Sequence, residues 1–106
     1  HMPDITALTE TTYYILLSLY TPRHGYGIMQ RAAELSGGRV KLAAGTLYGA
    51  LNAMTAKGWI VLLSGESDSR KKEYRLTPSG LAVLKAELRR LQELVASGEL
   101  ILKEEL

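Results

Sequence analysis

The sequence of 106 residues contains no cysteine. Without cysteine the chain has no disulfide scaffold, no thiolate zinc ligand and no thiol nucleophile. No apolar run approaches the roughly 20 residues that a membrane-spanning helix needs, and no positively charged, apolar leader of the secretory type opens the chain. We therefore expect a cytoplasmic protein that makes no membrane contact.

Histidine is almost as scarce. Of the two histidines, His1 belongs to a His1-Met2 pair that resembles a cloning remnant ahead of the natural chain, which leaves His24. One imidazole, with no second histidine or cysteine, cannot complete a metal site or activate a serine. We expect no catalytic residue, no metal site and no cofactor, and hence a protein that is not an enzyme.

The charge is unevenly distributed along a chain of globular composition, with 46% apolar and 23% charged residues. Residues 39–75 carry seven lysines and arginines against three acidic residues, an excess of +4, whereas residues 1–38 and 76–106 each carry −1. Such a central basic segment is typical of a surface that faces a polyanion. A solvated charged loop is the alternative.

Capping residues delimit the first two predicted helices. Thr9 fits an N-cap, and the first helix extends from there to about residue 20. Pro22 then blocks helix continuation, and a second helix spans residues 26–36 before Gly37 ends it.

The middle of the chain predicts a helix followed by a hairpin. Residues 40–42 can form only a short strand, and a third helix spans residues 44–57 with leucines on one face. Two strand-like runs follow at 59–64 and 72–76. They are joined by residues 65–69, whose composition is that of a hairpin loop.

The last predicted helix begins at Thr77 as N-cap, with Pro78 as its first residue. Residues 96–98, Ala-Ser-Gly, are expected to fray or bend it. Before them, apolar residues recur at spacings of three and four, as in the seam of a coiled coil. We expect this seam to form a dimer contact, with packing inside its own subunit as the alternative; it comprises Leu81, Leu84, Leu88, Leu91 and Val95.

The order helix, helix, short strand, helix, two-stranded hairpin, helix is that of a winged helix-turn-helix, a mainly α fold with a small β-hairpin. In that fold the third helix enters the major groove of DNA, and the hairpin contacts the backbone beside it. We expect the DNA-binding domain at residues 3–77 and a C-terminal dimerisation helix and tail at residues 78–106.

Four motifs then resemble, in order and spacing, the PadR-like transcriptional regulators over about residues 8–95. They are His24-Gly25-Tyr26-Gly27-Ile28, Gly45-Thr46-Leu47-Tyr48-Gly49-Ala50-Leu51, Lys57-Gly58-Trp59-Ile60 and Lys72-Glu73-Tyr74-Arg75-Leu76-Thr77-Pro78-Ser79-Gly80. The resemblance implies a bacterial homodimer that binds DNA, usually as a repressor, and belongs to the compact branch with one C-terminal helix. Gly49 and Trp59 depart from the family pattern, which commonly has proline and a smaller apolar residue or tyrosine there.

The third helix suggests how DNA is contacted. Its outward face is nearly bare, and Asn52 is the one side chain placed to read a base edge, with adenine as its preferred partner. Thr46 and Tyr48 lie on the flanks, where phosphates are expected. Packing against the second helix is the alternative reason for the glycines on this face. The expected DNA contacts are Lys41, Thr46, Tyr48, Asn52, Arg70, Lys71 and Lys72.

Together with the resemblance, which implies the repressor role, these patterns predict a homodimeric repressor that binds a pseudo-palindromic operator in double-stranded DNA. A small apolar effector that releases the operator is implied by the resemblance only. The alternative is a winged-helix module that contacts another protein and has weak or lost DNA binding.

Overall fold

The structure is a computed structural model that describes residues 7–63 and 72–106. Within these residues the chain forms a mainly helical fold with a small antiparallel sheet, which confirms the predicted winged helix-turn-helix. The elements, in chain order, are α1 (Glu10–Ser18), β1 (Arg23–His24), α2 (Gly25–Leu35), α3 (Ala44–Ala56), β2 (Ile60–Leu62), β3 (Glu73–Leu76) and α4 (Pro78–Leu102).

The predicted helix caps are confirmed. The Thr9 hydroxyl accepts the backbone N–H of Thr12 at 3.1 Å, and α1 begins one residue after Thr9. The Thr77 hydroxyl accepts the N–H of Gly80 at 3.0 Å, with proline in the first turn of α4. Each hydroxyl satisfies a donor that has no partner inside its own helix.

The short strand does not lie where the sequence predicted it. Residues 40–42 form no strand, because the N–H of Val40 is taken by the Ser36 hydroxyl at 2.8 Å and the chain then enters α3. The additional strand is β1, directly before α2. It pairs antiparallel with β3, with Arg23 opposite Tyr74. The chain leaves α1 in an extended conformation after Pro22, and β3 offers it an edge to pair with.

The sheet has the order β1-β3-β2, so that β3 lies in its centre. Along β3, Tyr74 is buried and Arg75 is exposed, as strand alternation predicts. Both hairpin strands are shorter than expected, and the predicted loop at residues 65–69 lies outside the described residues.

The core brings all four helices and the sheet together. Leu47, Leu51 and Met54 form the buried face of α3, as their spacing predicts. They pack in one cluster with residues from α1 and its C-cap, α2, the sheet and α4: Ile15, Leu16, Leu19, Ile28, Ile60, Tyr74 and Leu84.

The last helix is one unbroken element of 25 residues, about 37 Å long. The predicted fraying or bend at residues 96–98 is therefore wrong. A glycine inside a helix costs about 1 kcal/mol relative to alanine. The alanine, leucines and glutamates around Gly98 are strong helix formers that offset this cost. None of the helices in the described ranges could cross a membrane.

Candidate nucleic-acid interface

The outward face of α3 is exposed along its whole length. Gly45, Thr46, Gly49, Asn52 and Ala56 all lie on the surface, opposite the leucines that face the core. The structure therefore places two of the expected DNA-contacting residues, Thr46 and Asn52, on one accessible helix surface.

The two glycines of this face have no packing role that the described residues reveal. A Cβ atom built at Gly45 or at Gly49 would meet no described atom of the chain within 4 Å. The alternative explanation, that α2 packs too closely for a side chain at these positions, is therefore wrong for Gly45 and Gly49. What they provide is a helix surface on which a partner can approach the backbone closely.

Tyr48 lies half-buried on the flank of α3 that faces α2. Its ring packs against the core, and its hydroxyl lies against the backbone of Gly25, the first residue of α2. It also neighbours Tyr74, whose pKa is raised by burial first and by Tyr48 second. The ring thus has a packing role, and part of the side chain remains at the surface.

The basic candidates are spread over two regions. Lys41 is exposed in the segment that leads into α3, and Lys72 is half-buried directly before β3. Arg70 and Lys71 lie outside the described residues.

Two other cations of the central basic segment have partners within the chain. The Arg39 Nε atom donates to a Glu10 carboxylate oxygen at 2.7 Å, so this guanidinium is held against α1. The Lys57 ammonium lies 4.7 Å from the centre of the Trp59 ring, a cation–π contact.

The seam on α4 divides into a buried and an exposed part. Leu84 is only 5% exposed and belongs to the subunit's own core, which leaves it little surface for a partner. Leu81 and Leu91 are half-buried. Leu88 is 47% exposed and Val95 is 59% exposed.

Leu102 continues this exposed face beyond the seam, and Leu94 and Ile101 form a second exposed stripe about 100° around α4 from Val95 and Leu102. Leu94, Ile101 and Leu102 are exposed and were missed by the sequence reasoning. The signal was present, because Leu94 and Ile101 are seven residues apart and Leu102 follows Val95 by the same interval. The seven-residue repeat was not followed beyond Val95, because the helix was expected to fray or bend at residues 96–98.

Glu87 is a further residue that the sequence reasoning missed. Its side chain is buried in α4, where it accepts the backbone N–H of Leu8 at 3.1 Å and pairs with Arg90. The hydrogen bonds from Arg90, assisted by the one from Leu8, hold the pKa of Glu87 below its ordinary value. Only its spacing of three from Arg90 could have indicated this pair from the sequence.

An exposed recognition-type helix, a three-stranded sheet beside it and a long C-terminal helix together define a winged-helix transcriptional regulator. Solved regulators share this architecture. RosR from H. salinarum is 26% identical, with a TM-score of 0.67, over 92% of this chain and 99% of that chain. A PadR family transcriptional regulator from Eggerthella lenta DSM 2243 is 25% identical, with a TM-score of 0.65, over 90% and 82%. BpsR of Bordetella bronchiseptica has the same fold at 19% identity, with a TM-score of 0.68, over 92% and 69%.

The chain belongs to the PadR-like family of transcriptional regulators, whose family model matches residues 14–86. No curated protein sequence matches the chain significantly. The matched range contains all four motifs that carried the resemblance. The protein is therefore a DNA-binding transcriptional regulator and not an enzyme.

Proposed function

We propose that this regulator is a homodimeric repressor that binds a pseudo-palindromic operator through α3 and through its wing, which comprises the strands β2 and β3 and the residues that connect them in sequence. The observation that supports the proposal most is the bare, exposed face of α3, whose glycines have no packing role among the described residues. A helix with such a face can approach the floor of the major groove closely.

The expected contacts divide between base reading and phosphate binding. Asn52 reads a base edge, preferably adenine N6 and N7, from the centre of the exposed face. Thr46 and Tyr48 contact phosphates from the two flanks of α3, and Lys41 does so from the segment before it. Arg70, Lys71 and Lys72 contact phosphates at the wing.

Dimer formation is proposed to occur through the exposed face of α4. Exposed apolar surface costs roughly 25 cal/mol per Å², and Leu88 and Val95 leave such surface in a single subunit. Two paired subunits place their recognition helices about one DNA turn apart, which matches a two-fold symmetric operator. In this proposal residues 3–77 form the DNA-binding domain, residues 78–106 the dimerisation helix and tail, and residues 1–2 are a cloning remnant.

Control by a small apolar molecule is part of the proposal. DNA binding by BpsR, which shares the fold, is regulated by 6-hydroxynicotinic acid. A comparable effector would release the operator from this protein. Since its target is the chromosome, we place its action in the cytoplasm.

The salt dependence of duplex binding tests the proposal. If about two wing cations in each subunit neutralise phosphates, replacing Arg70, Lys71 and Lys72 by alanine flattens the log–log salt slope by about 3.6. Lys103→Ala, at the exposed end of α4, serves as the control and leaves the slope unchanged. An unchanged slope in the triple variant would remove the wing from the interface.

Base reading is tested separately from phosphate binding. Asn52→Ala is expected to relax the preference at one base pair of each half-site by about 1–3 kcal/mol, whereas Tyr48→Phe weakens binding to all sequences alike. Weak duplex binding without salt dependence would instead favour a protein-interaction module. The small number of hydrogen-bonding groups on the exposed face of α3 also agrees with that function.

A further inference from the structure

The α4 helix is fastened near its start to the segment that follows α3. The Thr77 hydroxyl donates to the Gly58 carbonyl at 2.6 Å, and the Thr77 N–H donates to the Trp59 carbonyl at 3.0 Å. Gly80 lies so close to Trp59 that a Cβ would stand 2.9 Å from its carbonyl carbon. The beginning of α4 therefore has a fixed position relative to the recognition helix.

Glu87 fastens α4 a second time, to the start of α1. Its side chain is 3% exposed, and one oxygen accepts the N–H of Leu8 at 3.1 Å, just before the α1 cap. Arg90 donates to both carboxylate oxygens, from Nε at 2.7 Å and from Nη2 at 2.8 Å. Both oxygens are thus engaged, and the carboxylate joins two helices that are distant in sequence.

The two fastening points, with the buried Leu84 between them, define the direction of the remaining helix. At a rise of about 1.5 Å per residue, Glu87 lies about 10 Å beyond Gly80 and Leu102 about 33 Å beyond it. A tilt of about five degrees around Gly80 would therefore move Leu102 by about 3 Å. This displacement is close to the roughly 3.4 Å rise of one base pair.

We propose that Glu87 is a positioning residue that sets the direction of distal α4 and thereby the half-site spacing that the dimer accepts. The proposal rests on the proposed function, a duplex-binding dimer joined through α4. An apolar side chain could fill the same space with similar stability. The Leu8 N–H bond to the carboxylate holds α4 against the start of α1, and Arg90, on α4 itself, holds the carboxylate in the orientation that accepts this bond.

The test uses a series of operators that differ in half-site spacing. The wild-type protein first selects its site from a pool of random duplexes, and one or two base pairs are then inserted or removed at the centre of that site. Wild-type affinity is expected to fall about tenfold for each base pair of change. Glu87→Gln, which keeps the shape and loses the ion pair, is expected to lose less than about threefold. Its affinity for an isolated half-site stays equal to that of the wild type.

Glu93→Gln is the matched control, because it removes the same charge from an exposed position on the same helix. It is expected to keep the wild-type spacing profile. If circular dichroism shows Glu87→Gln to be unfolded, Arg90→Lys replaces it. That variant keeps the charge and loses the two-point contact, and an intermediate spacing tolerance is expected.

The outcomes separate the positioning role of Glu87 from the proposed function. A variant that keeps the wild-type spacing profile, or that loses half-site affinity in parallel, overturns the positioning role while the proposed function stands. A wild-type protein that binds no duplex, or that binds without any spacing preference, overturns the proposed function and the positioning role with it.

Discussion

The hydroxyl of Tyr48 on α3 lies against Gly25, the first residue of α2, with its Cζ atom 3.0 Å from where a Cβ of residue 25 would stand. No side chain fits between them. The contact fixes how closely the flank of the recognition helix approaches the start of the preceding helix, and hence the geometry of the helix-turn-helix.

Gly25→Ala is expected to destabilise the fold by about 1–3 kcal/mol, because the new methyl group overlaps the Tyr48 hydroxyl. Adding Tyr48→Phe removes the nearest atom and restores part of the loss, so the two changes are not additive. Urea unfolding of both single variants and the double variant measures this coupling. Gly27→Ala is the control, since its Cβ would make only an ordinary contact of 3.7 Å with Arg23; equal losses at both glycines would contradict the prediction.

Gly49→Ala is expected to have opposite effects on stability and on DNA binding. Alanine is preferred over glycine inside a helix by about 1 kcal/mol, and no described atom lies near the new methyl group. The added methyl group holds α3 away from the groove floor and weakens duplex binding. Thermal unfolding and a DNA titration of the same sample check both effects. Unchanged affinity would show that Gly49 does not face DNA.

Leu88→Glu is expected to split the proposed dimer and abolish tight operator binding, while the subunit stays folded because Leu88 is already half exposed. Sedimentation at micromolar concentration checks the assembly, and circular dichroism checks the fold. Leu100→Glu is the control, since this exposed leucine lies about 120° around α4 from Leu88. A dimer that persists in Leu88→Glu would place the subunit contact on another surface.

Leu84→Ala is expected to act differently from Leu88→Glu, because Leu84 lies in the core of its own subunit. Truncating a buried leucine costs about 2–5 kcal/mol of unfolding free energy. The variant should unfold at lower urea concentration at any protein concentration. A loss that appears only on dilution would assign Leu84 to the dimer contact instead.

The Glu87 contacts make stability depend on pH in a defined direction. The hydrogen bonds from Arg90 and Leu8 lower the pKa of Glu87 from its ordinary 4.5. A carboxylate with a lower pKa in the folded chain stabilises the fold above that ordinary value, and its contribution is lost as the pH falls through the folded-state pKa. Wild-type protein should therefore lose more stability than Glu87→Gln when urea unfolding is compared at pH 7 and about pH 3. Equal losses of stability in the two proteins would mean that the Glu87–Arg90 pair does not contribute to stability.

Local signals in the sequence predicted most of the fold, and long-range contacts account for what they missed. The caps at Thr9 and Thr77 depend on residues three positions away and were predicted correctly. The strand β1 depends on Tyr74 and Glu73, about fifty residues later, so no local pattern could place it. The α4 helix continued through Gly98 because its neighbours outweigh one unfavourable residue.

In the candidate site, too, features of local origin were predicted from the sequence and long-range contacts were not. The angular positions of α3 residues predicted its exposed and buried faces, since helix geometry is regular. The bond from Leu8 to Glu87 spans 79 positions in the sequence, and that from Arg39 to Glu10 spans 29. Which residues pair over such distances is determined by tertiary packing, and the periodicity of the sequence does not predict it.

The arrangement of the sheet also affects how the protein behaves at high concentration. With β3 in the centre, the outer strands in the described ranges are β1, of two residues, and β2, of three. Strand edges this short offer few unpaired backbone groups for a neighbouring chain to extend, which discourages edge-to-edge aggregation. Crowded molecules are thereby steered away from growth of the sheet, whose short outer strands give a neighbouring chain little backbone to pair with.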